Sequence, residues 1–285
     1  MRKALFILTL CCCLAATAQA QGKDLFYSRD TVNNPQPIPY PYLRDVDVLW
    51  STILWKTIPC EELFNQFFYF PDDEANNFGK KSLAYILWDA VVANEIPIYE
   101  DEELLFPIDN ELFVRNYTRA DTIQLEIEYD EDDNEQYETI IRPRFFEGSE
   151  FYNYALKEVW FIGKQDARQD SRRIALAPLK ENIITMGKTI EINQGIIPIF
   201  WVPMQHPAVR ALLARYTAYV DPSNIVRQPS WDWVFLNQHY TAYITRESNV
   251  YNRPINKYLT GEDAILESER IEQRVFDLEN DMWDF

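Results

Sequence analysis

The sequence predicts an α+β fold, in which helices accompany a largely antiparallel sheet with a β-hairpin and the last third is mostly helical. Between Ile123 and Tyr129 apolar and polar side chains alternate, as in a strand with one wet face. Elsewhere apolar side chains recur at steps of three and four residues, which is the helical period. Helical patterns dominate after Pro207, and strand patterns dominate the middle of the chain.

The first 20 residues have the features of a cleavable secretory signal peptide. Arg2 and Lys3 precede an apolar run over residues 4–16, and Ala18-Gln19-Ala20 offers small residues for cleavage. That run is too short to span a bilayer, and no later stretch reaches the roughly 20 apolar residues that a span needs. We therefore expect cleavage after Ala20, export to the periplasm and no direct membrane insertion.

Three of the four cysteines, at positions 11 to 13, lie in this predicted signal peptide, so Cys60 alone stays in the mature chain. A lipid-anchored form is the less favoured alternative, because none of the three follows the small residue that lipid attachment expects. The 27 basic residues fall to 25 without Arg2 and Lys3, against 45 acidic ones. Such a chain repels phosphate backbones and anionic head groups, so the sequence disfavours nucleic acid as a partner.

Residues 21–44 are expected to form an extended arm, and residues 45–285 a single globular unit of either one lobe or two lobes with a boundary near residue 148. Proline occupies every second position from Pro35 to Pro41, and each ring pushes the preceding residue into an extended conformation. Two interpretations stay open. The arm is either a linker that lies across its own domain or a segment that grips a neighbouring subunit.

The first half of the unit carries two helical patterns. One begins at Asp45 and is expected to end at Pro59; the other begins behind Ser82 as the cap. The apolar side chains that carry the patterns are Val46, Leu49, Trp50 and Ile53 in the first, and Leu83, Ile86, Leu87, Ala90 and Val91 in the second.

The middle of the chain predicts strands. The strand around Ile123 is followed by an acidic loop and a returning strand through Tyr137, Thr139, Ile141 and Phe145, which together form a hairpin. Three further strands are expected at residues 156–162, 173–177 and 197–202, and the last is continuous enough to be buried on both faces.

Three helices are expected in the last third. Pro207 occupies a first turn ahead of Val209, Leu212, Leu213 and Tyr216. Ser230 is the expected cap of a helix that carries Trp233, Leu236, Tyr240 and Tyr243. Thr260 and Asp263 form a capping box for a closing helix, whose apolar stripe at Ile271, Val275, Leu278 and Met282 is spaced as a seam for another helix.

The residue inventory predicts no catalytic, cofactor-binding or metal-binding site. His206 and His239 are the only histidines and stand on separate predicted helices, where a cap or a hydrogen-bonded surface position is the expected role of each. Cys60 has no second cysteine with which to bind zinc. The sequence contains no glycine-rich nucleotide loop and no serine hydrolase elbow. A non-enzymatic protein without a cofactor is therefore expected.

Two acidic runs are expected to be solvated loops rather than calcium sites. Residues 130–135 fail the EF-hand pattern, because Glu135 stands where glycine is needed, so a solvated hairpin tip is expected there, as it is at residues 100–103.

One alternative function stays open, namely a periplasmic glycan-active enzyme or carbohydrate-binding protein, which needs only two carboxylates and an aromatic platform. With 45 acidic residues and eight tryptophans the composition meets that requirement by default, but no motif supports it, and runs such as Trp231-Asp232-Trp233 are more often helix core with one charge in the first turn.

Several blocks in chain order resemble the GldN/PorN family, the gliding-motility and type IX secretion proteins of Bacteroidetes. Together they span roughly residues 46 to 285, apart from the hairpin region 100–148. They are Asp47-Val48-Leu49-Trp50-Ser51 with Trp55 and Ile58; Lys157-Glu158-Val159-Trp160-Phe161 with Lys164-Gln165; Arg173-Ile174-Ala175-Leu176-Ala177-Pro178-Leu179; Phe200-Trp201; Pro207-Ala208-Val209-Arg210 to Arg215-Tyr216; Glu247-Ser248-Asn249-Val250-Tyr251-Asn252-Arg253; Leu266-Glu267-Ser268-Glu269-Arg270-Ile271; and Asp281-Met282-Trp283-Asp284-Phe285.

The resemblance implies a periplasmic scaffold subunit at the inner face of the outer membrane. Members of the family assemble with an outer-membrane lipoprotein (GldK/PorK) into large rings. They also contact the inner-membrane motor (GldL/GldM, PorL/PorM). The partners expected from the resemblance are therefore a GldK/PorK-type lipoprotein, a GldM/PorM-type motor subunit and further copies of the chain itself.

Overall fold

The computed structural model describes residues 36–70, 81–118, 121–129, 135–142, 148–164, 168–186, 190–220 and 228–283. The predicted signal peptide, the first part of the predicted arm, the acidic segment 130–134 and Phe145 lie outside the described residues. Contacts between Cα atoms group Pro37–Phe285 into one unit. Of the helices within the described ranges, none has both the length and the apolar composition that a membrane crossing demands.

Strands in the described part of the chain form one large sheet and two small ones, and every strand pair is antiparallel. The large sheet has the order β10-β1-β6-β7-β8, with β9 also beside β7. In chain order the strands are β1 (Val48–Pro59), β2 (Ile98–Tyr99), β3 (Pro107–Ile108), β4 (Asp121–Tyr129), β5 (Glu135–Arg142), β6 (Asn153–Gly163), β7 (Gln169–Met186), β8 (Ile190–Pro198), β9 (Val202–Pro203) and β10 (Tyr243–Glu247).

Helices cover one face of the large sheet. In chain order they are α1 (Gln66–Tyr69), α2 (Leu83–Val92), α3 (Asn110–Tyr117), α4 (Pro207–Arg215), α5 (Trp231–Leu236) and α6 (Glu262–Trp283). Helices α1, α2, α4 and α5 pack on Ile58, Leu156 and Leu176 in the main apolar core. Further along the same face, α6 packs on Leu54 and Trp160. The predicted α+β fold is confirmed.

The segment after Asp45 is a strand, so the helix predicted there is wrong. A single turn of 3₁₀ helix at Asp45–Asp47 leads into β1, which pairs with both β6 and β10. Side chains 54 to 58 of β1 are buried without alternation, because helices cover one face and the loop after β2 covers part of the other. The helical pattern began at Val46 and Leu49, which are 75% and 51% exposed, so their apolar spacing did not mark the buried face of a helix.

Six other predicted elements are confirmed. The hairpin is present as β4 and β5, and β6 and β7 contain the two strands predicted at residues 156–162 and 173–177. Helix α2 follows Ser82, although the Ser82 side chain makes no capping bond. Helix α4 has Pro207 in its first turn. The closing helix is present as α6, but it begins at Glu262 directly after Gly261, so Thr260 is not its cap.

The predicted strand over residues 197–202 is wrong in extent and burial. Strand β8 ends at Pro198, and Ile196 and Ile197 are 51% and 41% exposed, because β8 is the edge of the large sheet. The predicted helix behind Ser230 is too long. It ends at Leu236, where Gln238 adopts a positive φ of 51° and the amide of His239 bonds to the carbonyl of Val234.

The apolar stripe of α6 faces a sheet rather than another helix. Ile271 and Val275 are buried against Leu54, Trp160 and Ile244, and Leu278 is half-buried. The side chain of Met282 lies outside the described residues. A helical stripe fixes which face is buried, but it does not fix the kind of element on which that face packs.

Candidate functional site

The histidines and the cysteine lie apart and serve the fold. His206 is the N-cap of α4, where its Nδ1 accepts a hydrogen bond from the amide of Ala208 at 3.3 Å. His239 packs against the rings of Phe64 and Trp233, with centroid separations of 4.9 and 5.8 Å. Burial, with a smaller effect from the charge of Glu61, raises the pKa of the Cys60 thiol to about 12. Within the described ranges, no group of three or more His, Cys, Asp or Glu side chains is placed so that it could hold a metal ion.

Glu158 on β6 is a fully buried charge that lies between the two apolar cores on the helical face. Its carboxylate accepts hydrogen bonds from Trp160 Nε1 at 2.8 Å and Tyr240 Oη at 2.9 Å. Lys56 Nζ and Arg173 Nε lie 3.5 and 3.4 Å from it. Burial alone would raise the pKa of Glu158, but the two cations and the two hydrogen bonds lower it. The carboxylate therefore stays ionised and ties three strands to the loop before β10.

Trp55 marks the opposite face of the sheet, where two cations stack on its indole ring. The guanidinium carbon of Arg246 lies 3.7 Å from the ring centroid, and Lys157 Nζ lies 5.3 Å from it. Arg246 pairs with Glu102, and Lys157 Nζ lies 2.8 Å from Glu103 Oε2. The expectation of a solvated run at residues 100–103 is therefore corrected, because two of its carboxylates attach the loop to the sheet.

The described part of the arm lies across the chain's own body, held by three side chains that we call the arm clamp: Arg172, Arg210 and Asp232. The amide of Ile38 donates to Asp232 Oδ2 at 2.7 Å, and the carbonyl of Ile38 accepts from Arg210 Nη2. Arg172 Nη2 donates to the carbonyl of Pro41 at 2.8 Å.

Aromatic stacking completes this site. The Tyr40 ring lies 4.3 Å from the Arg210 guanidinium carbon and 5.5 Å from that of Arg172. Within the body, Arg210 forms a forked ion pair with Asp232, with three nitrogen–oxygen distances of 2.8 to 3.0 Å. The side chains of Arg210 and Asp232 are only 12% and 6% exposed. The arrangement binds an extended backbone that carries an aromatic ring.

Two surfaces next to this site are open. A groove of about 500 Å³ lies on the face opposite the helices. It is lined by Leu43, Asp45, Val48, Leu49, Trp50, Ser51, Val159, Phe161, Arg172 and Ile174. A second groove of about 300 Å³ also borders Arg172, beside residues 41–43. Arg172 thus belongs both to the arm clamp and to the two grooves at the root of the arm.

An exposed turn follows β10. Asn249 Oδ1 accepts hydrogen bonds from the amides of Tyr251 and Asn252 at 3.0 and 2.9 Å, which fixes the turn. Val250 and Tyr251 at its tip are 99% and 75% exposed. The Arg253 guanidinium carbon lies 5.2 Å from the Tyr251 ring and 4.5 Å from the Tyr258 ring. The turn thus holds two large apolar or aromatic side chains in solvent.

Sequence reasoning did not single out the arm clamp. It interpreted Trp231-Asp232-Trp233 as helix core with a charge in the first turn, and Asp232 does lie there, 5% exposed beside the fully buried Trp231. Its partner Arg210 stands on another helix, and the arm residue that both bind is 172 positions from Arg210. The signal available in the sequence was Asp232 itself, an acidic residue expected in a helix core. A buried carboxylate needs a charged or hydrogen-bonding partner, and that partner could have been sought.

Comparison with protein families matches residues 43–284 to the family described as gliding motility associated protein GldN. Comparison with curated proteins gives no match. The matched range covers the large sheet, all six helices and the three side chains of the arm clamp. This chain therefore belongs to the GldN family of gliding motility associated proteins.

Proposed function

We propose that the chain is a periplasmic structural subunit of the type IX secretion and gliding-motility machinery. In this proposal it forms a ring with a GldK/PorK-type outer-membrane lipoprotein and contacts a GldL/GldM- or PorL/PorM-type inner-membrane motor. Family membership makes it a gliding-motility component. The ring, the partners and the periplasmic location belong to the proposal.

One observation carries the proposal, namely that the family match spans residues 43–284 and so almost the whole globular unit. Three features support it. The first 20 residues resemble an export signal. The buried charges of the described body are matched in ion pairs, as expected of groups that stabilise a fold. Apolar side chains are exposed at the groove and at the turn after β10.

Purification of the tagged full-length chain from cell envelopes tests the proposal. We expect the GldK/PorK-type lipoprotein to co-purify, rings to be visible by electron microscopy, and gene disruption to stop type IX secretion until the gene is restored. Absence of the lipoprotein from the purified material would contradict the ring. Hydrolysis of peptidoglycan or polysaccharide fragments that a single Asp or Glu substitution abolishes would favour the glycan alternative.

A matched pair of variants sharpens this test. Val250→Asp places a charge at the tip of the exposed turn, which lies in the block Glu247 to Arg253 that resembles the family. Val92→Asp places the same charge at a 55% exposed position at the end of α2. We expect Val250→Asp to reduce co-purification at least fivefold and Val92→Asp to leave it unchanged, while both proteins melt as the parent does.

A further inference from the structure

The arm clamp forms hydrogen bonds with the main chain of the arm and stacks on one side chain, the Tyr40 ring. In Pro37-Ile38-Pro39-Tyr40-Pro41 only residues 38 and 40 carry an amide hydrogen, and the Ile38 amide is bound by Asp232. Arg210 and Arg172 bind the carbonyls of Ile38 and Pro41. Alternating prolines hold such a segment extended before it binds, which lowers the entropic cost of binding.

The ion pair at the centre of the clamp does not include the arm. Arg210 on α4 and Asp232 on α5 pair with each other inside the body, and both side chains are largely buried. The arm, in contrast, joins the body through exposed residues: Tyr42 is 89% exposed and Val46 is 75% exposed. A buried receptor that is linked to its occupant by an exposed connection is the arrangement in which an identical segment can be exchanged between copies.

We propose that, in the assembled machinery, the arm of one chain occupies the arm clamp of a second copy of the same chain. This proposal rests on the proposed function, because it names the contact by which the ring subunits join each other. The contacts of Ile38, Tyr40 and Pro41 are the same whether arm and clamp belong to one chain or to two. Neighbouring copies in an assembly raise the local concentration of clamps, which favours the exchanged form.

Charge favours the arm as the segment that is exchanged. The chain carries a formal net charge of −18, so two copies repel each other. Residues 36–43, Gln-Pro-Ile-Pro-Tyr-Pro-Tyr-Leu, carry no charge, and the clamp offers two arginines and one aspartate. The arm is thus a segment that one copy can place in another without adding like charge to the contact.

Geometry agrees with a neighbouring copy as the acceptor. From Arg44 to Ile38 the arm has six residues, which reach at most about 20 Å when extended. A second body must therefore lie close to the arm root, where Leu49 is 51% exposed beside the groove of about 500 Å³. A copy seated there covers this groove. Because each chain has one arm and one clamp at different places, the contact is head-to-tail, which is the type that closes rings.

Photo-cross-linking tests the exchange in the intact assembly. Tyr40→p-benzoylphenylalanine is introduced in the full-length chain, which is co-expressed with a heavier tagged copy that lacks residues 21–41 and so has an empty clamp. After irradiation of purified assemblies, we expect a cross-link between the two copies, located in peptides of α4 or α5 of the armless copy.

Two substitutions and one control define specificity. Ile38→Pro in the arm removes the amide that Asp232 binds while keeping the segment extended, so it cannot unfold the body. Arg210→Gln in the armless copy removes the cation of the clamp. We expect each to reduce the cross-link between copies at least tenfold. Arg215→Gln, on the same helix but paired with the exposed Glu95, should leave the cross-link within twofold.

The outcomes separate this inference from the proposed function. Rings whose Tyr40 cross-links stay within single chains would overturn the exchange and leave the ring proposal standing. A cross-link between copies without rings would support the exchange and overturn the ring. If neither rings nor a cross-link between copies form, both proposals fail.

Discussion

At the scale of single residues, the buried charges are arranged as structural links. Glu158 contacts two cations and two hydrogen-bond donors, and Asp232 contacts Arg210 and an arm amide. Breaking a buried pair by removing one partner is strongly destabilising, because the other charge is left uncompensated. Substitutions at these positions should therefore reveal themselves first in stability.

Glu158→Gln is expected to lower the free energy of unfolding by about 3–5 kcal/mol, because Lys56 and Arg173 lose their shared counter-charge. Glu272→Gln, at an exposed position on α6, should change it by less than about 0.5 kcal/mol. Urea unfolding at pH 7 measures both. Equal stability of Glu158→Gln and the parent protein would contradict the structural role assigned to the carboxylate.

The same carboxylate predicts a pH dependence. The folded chain lowers the pKa of Glu158 below its ordinary value of 4.5, so its stabilising contribution is present above that value. The contribution is lost as the pH falls through the lower folded-state pKa. We therefore expect the stability difference between parent and Glu158→Gln to shrink as urea titrations move from pH 6 towards acid. A constant difference would contradict this pKa direction.

Cys60 is expected to be inert in the folded protein. Because burial raises its thiol pKa to about 12, almost no thiolate forms at pH 8, and 4% exposure blocks access of the reagent. With a chromogenic disulfide reagent, we expect the Cys60 thiol of the native protein to react only at the rate of unfolding. In denaturant the same thiol should react at once. Immediate reaction of the native protein would show that the thiol is accessible.

At the scale of elements, α6 is held by a few side chains on one stripe. Ile271 is 3% exposed and packs with Leu54 and Trp160, whereas Ile265 on the same helix is 61% exposed. Ile271→Ala should cost about 2–5 kcal/mol of stability and Ile265→Ala less than about 0.5 kcal/mol. Chemical denaturation of the pair measures the difference. Similar losses for both would mean that α6 does not pack as described.

Elements whose apolar residues mark the face that is buried were predictable from sequence, and a strand that begins with exposed apolar residues was not. The hairpin β4–β5 and helices α2 and α4 have clear periods, and all three were predicted. Around the start of β1, Val46 and Leu49 are apolar but 75% and 51% exposed, and their spacing with Trp50 and Ile53 was mistaken for the stripe of a helix. The arm clamp joins residues 38, 172, 210 and 232, and no local pattern records such distant pairings.

At the scale of the whole molecule, the two ends of the unit contribute differently to folding. The arm contacts the three side chains of the arm clamp. Helix α6 fills an apolar core on the sheet face, and its Ser268 Oγ accepts a hydrogen bond from the Ile244 amide at 2.8 Å. Stability of a domain is typically about 5–15 kcal/mol, and burying one large apolar side chain contributes roughly 1.5–3 kcal/mol. The loss of α6 is therefore comparable with the whole stability of the unit.

Two deletions test this asymmetry in one experiment. Removal of residues 260–285 should leave little folded protein and block type IX secretion, because Leu54, Trp160 and Ile244 lose their cover. Removal of residues 24–41 should leave a folded body with nearly parental melting, because Arg210 and Asp232 keep each other as partners, but it should weaken assembly with the lipoprotein partner. Circular dichroism, co-purification and electron microscopy compare both variants with the intact chain. If the armless protein builds normal rings, assembly depends on the globular body and the arm is a linker.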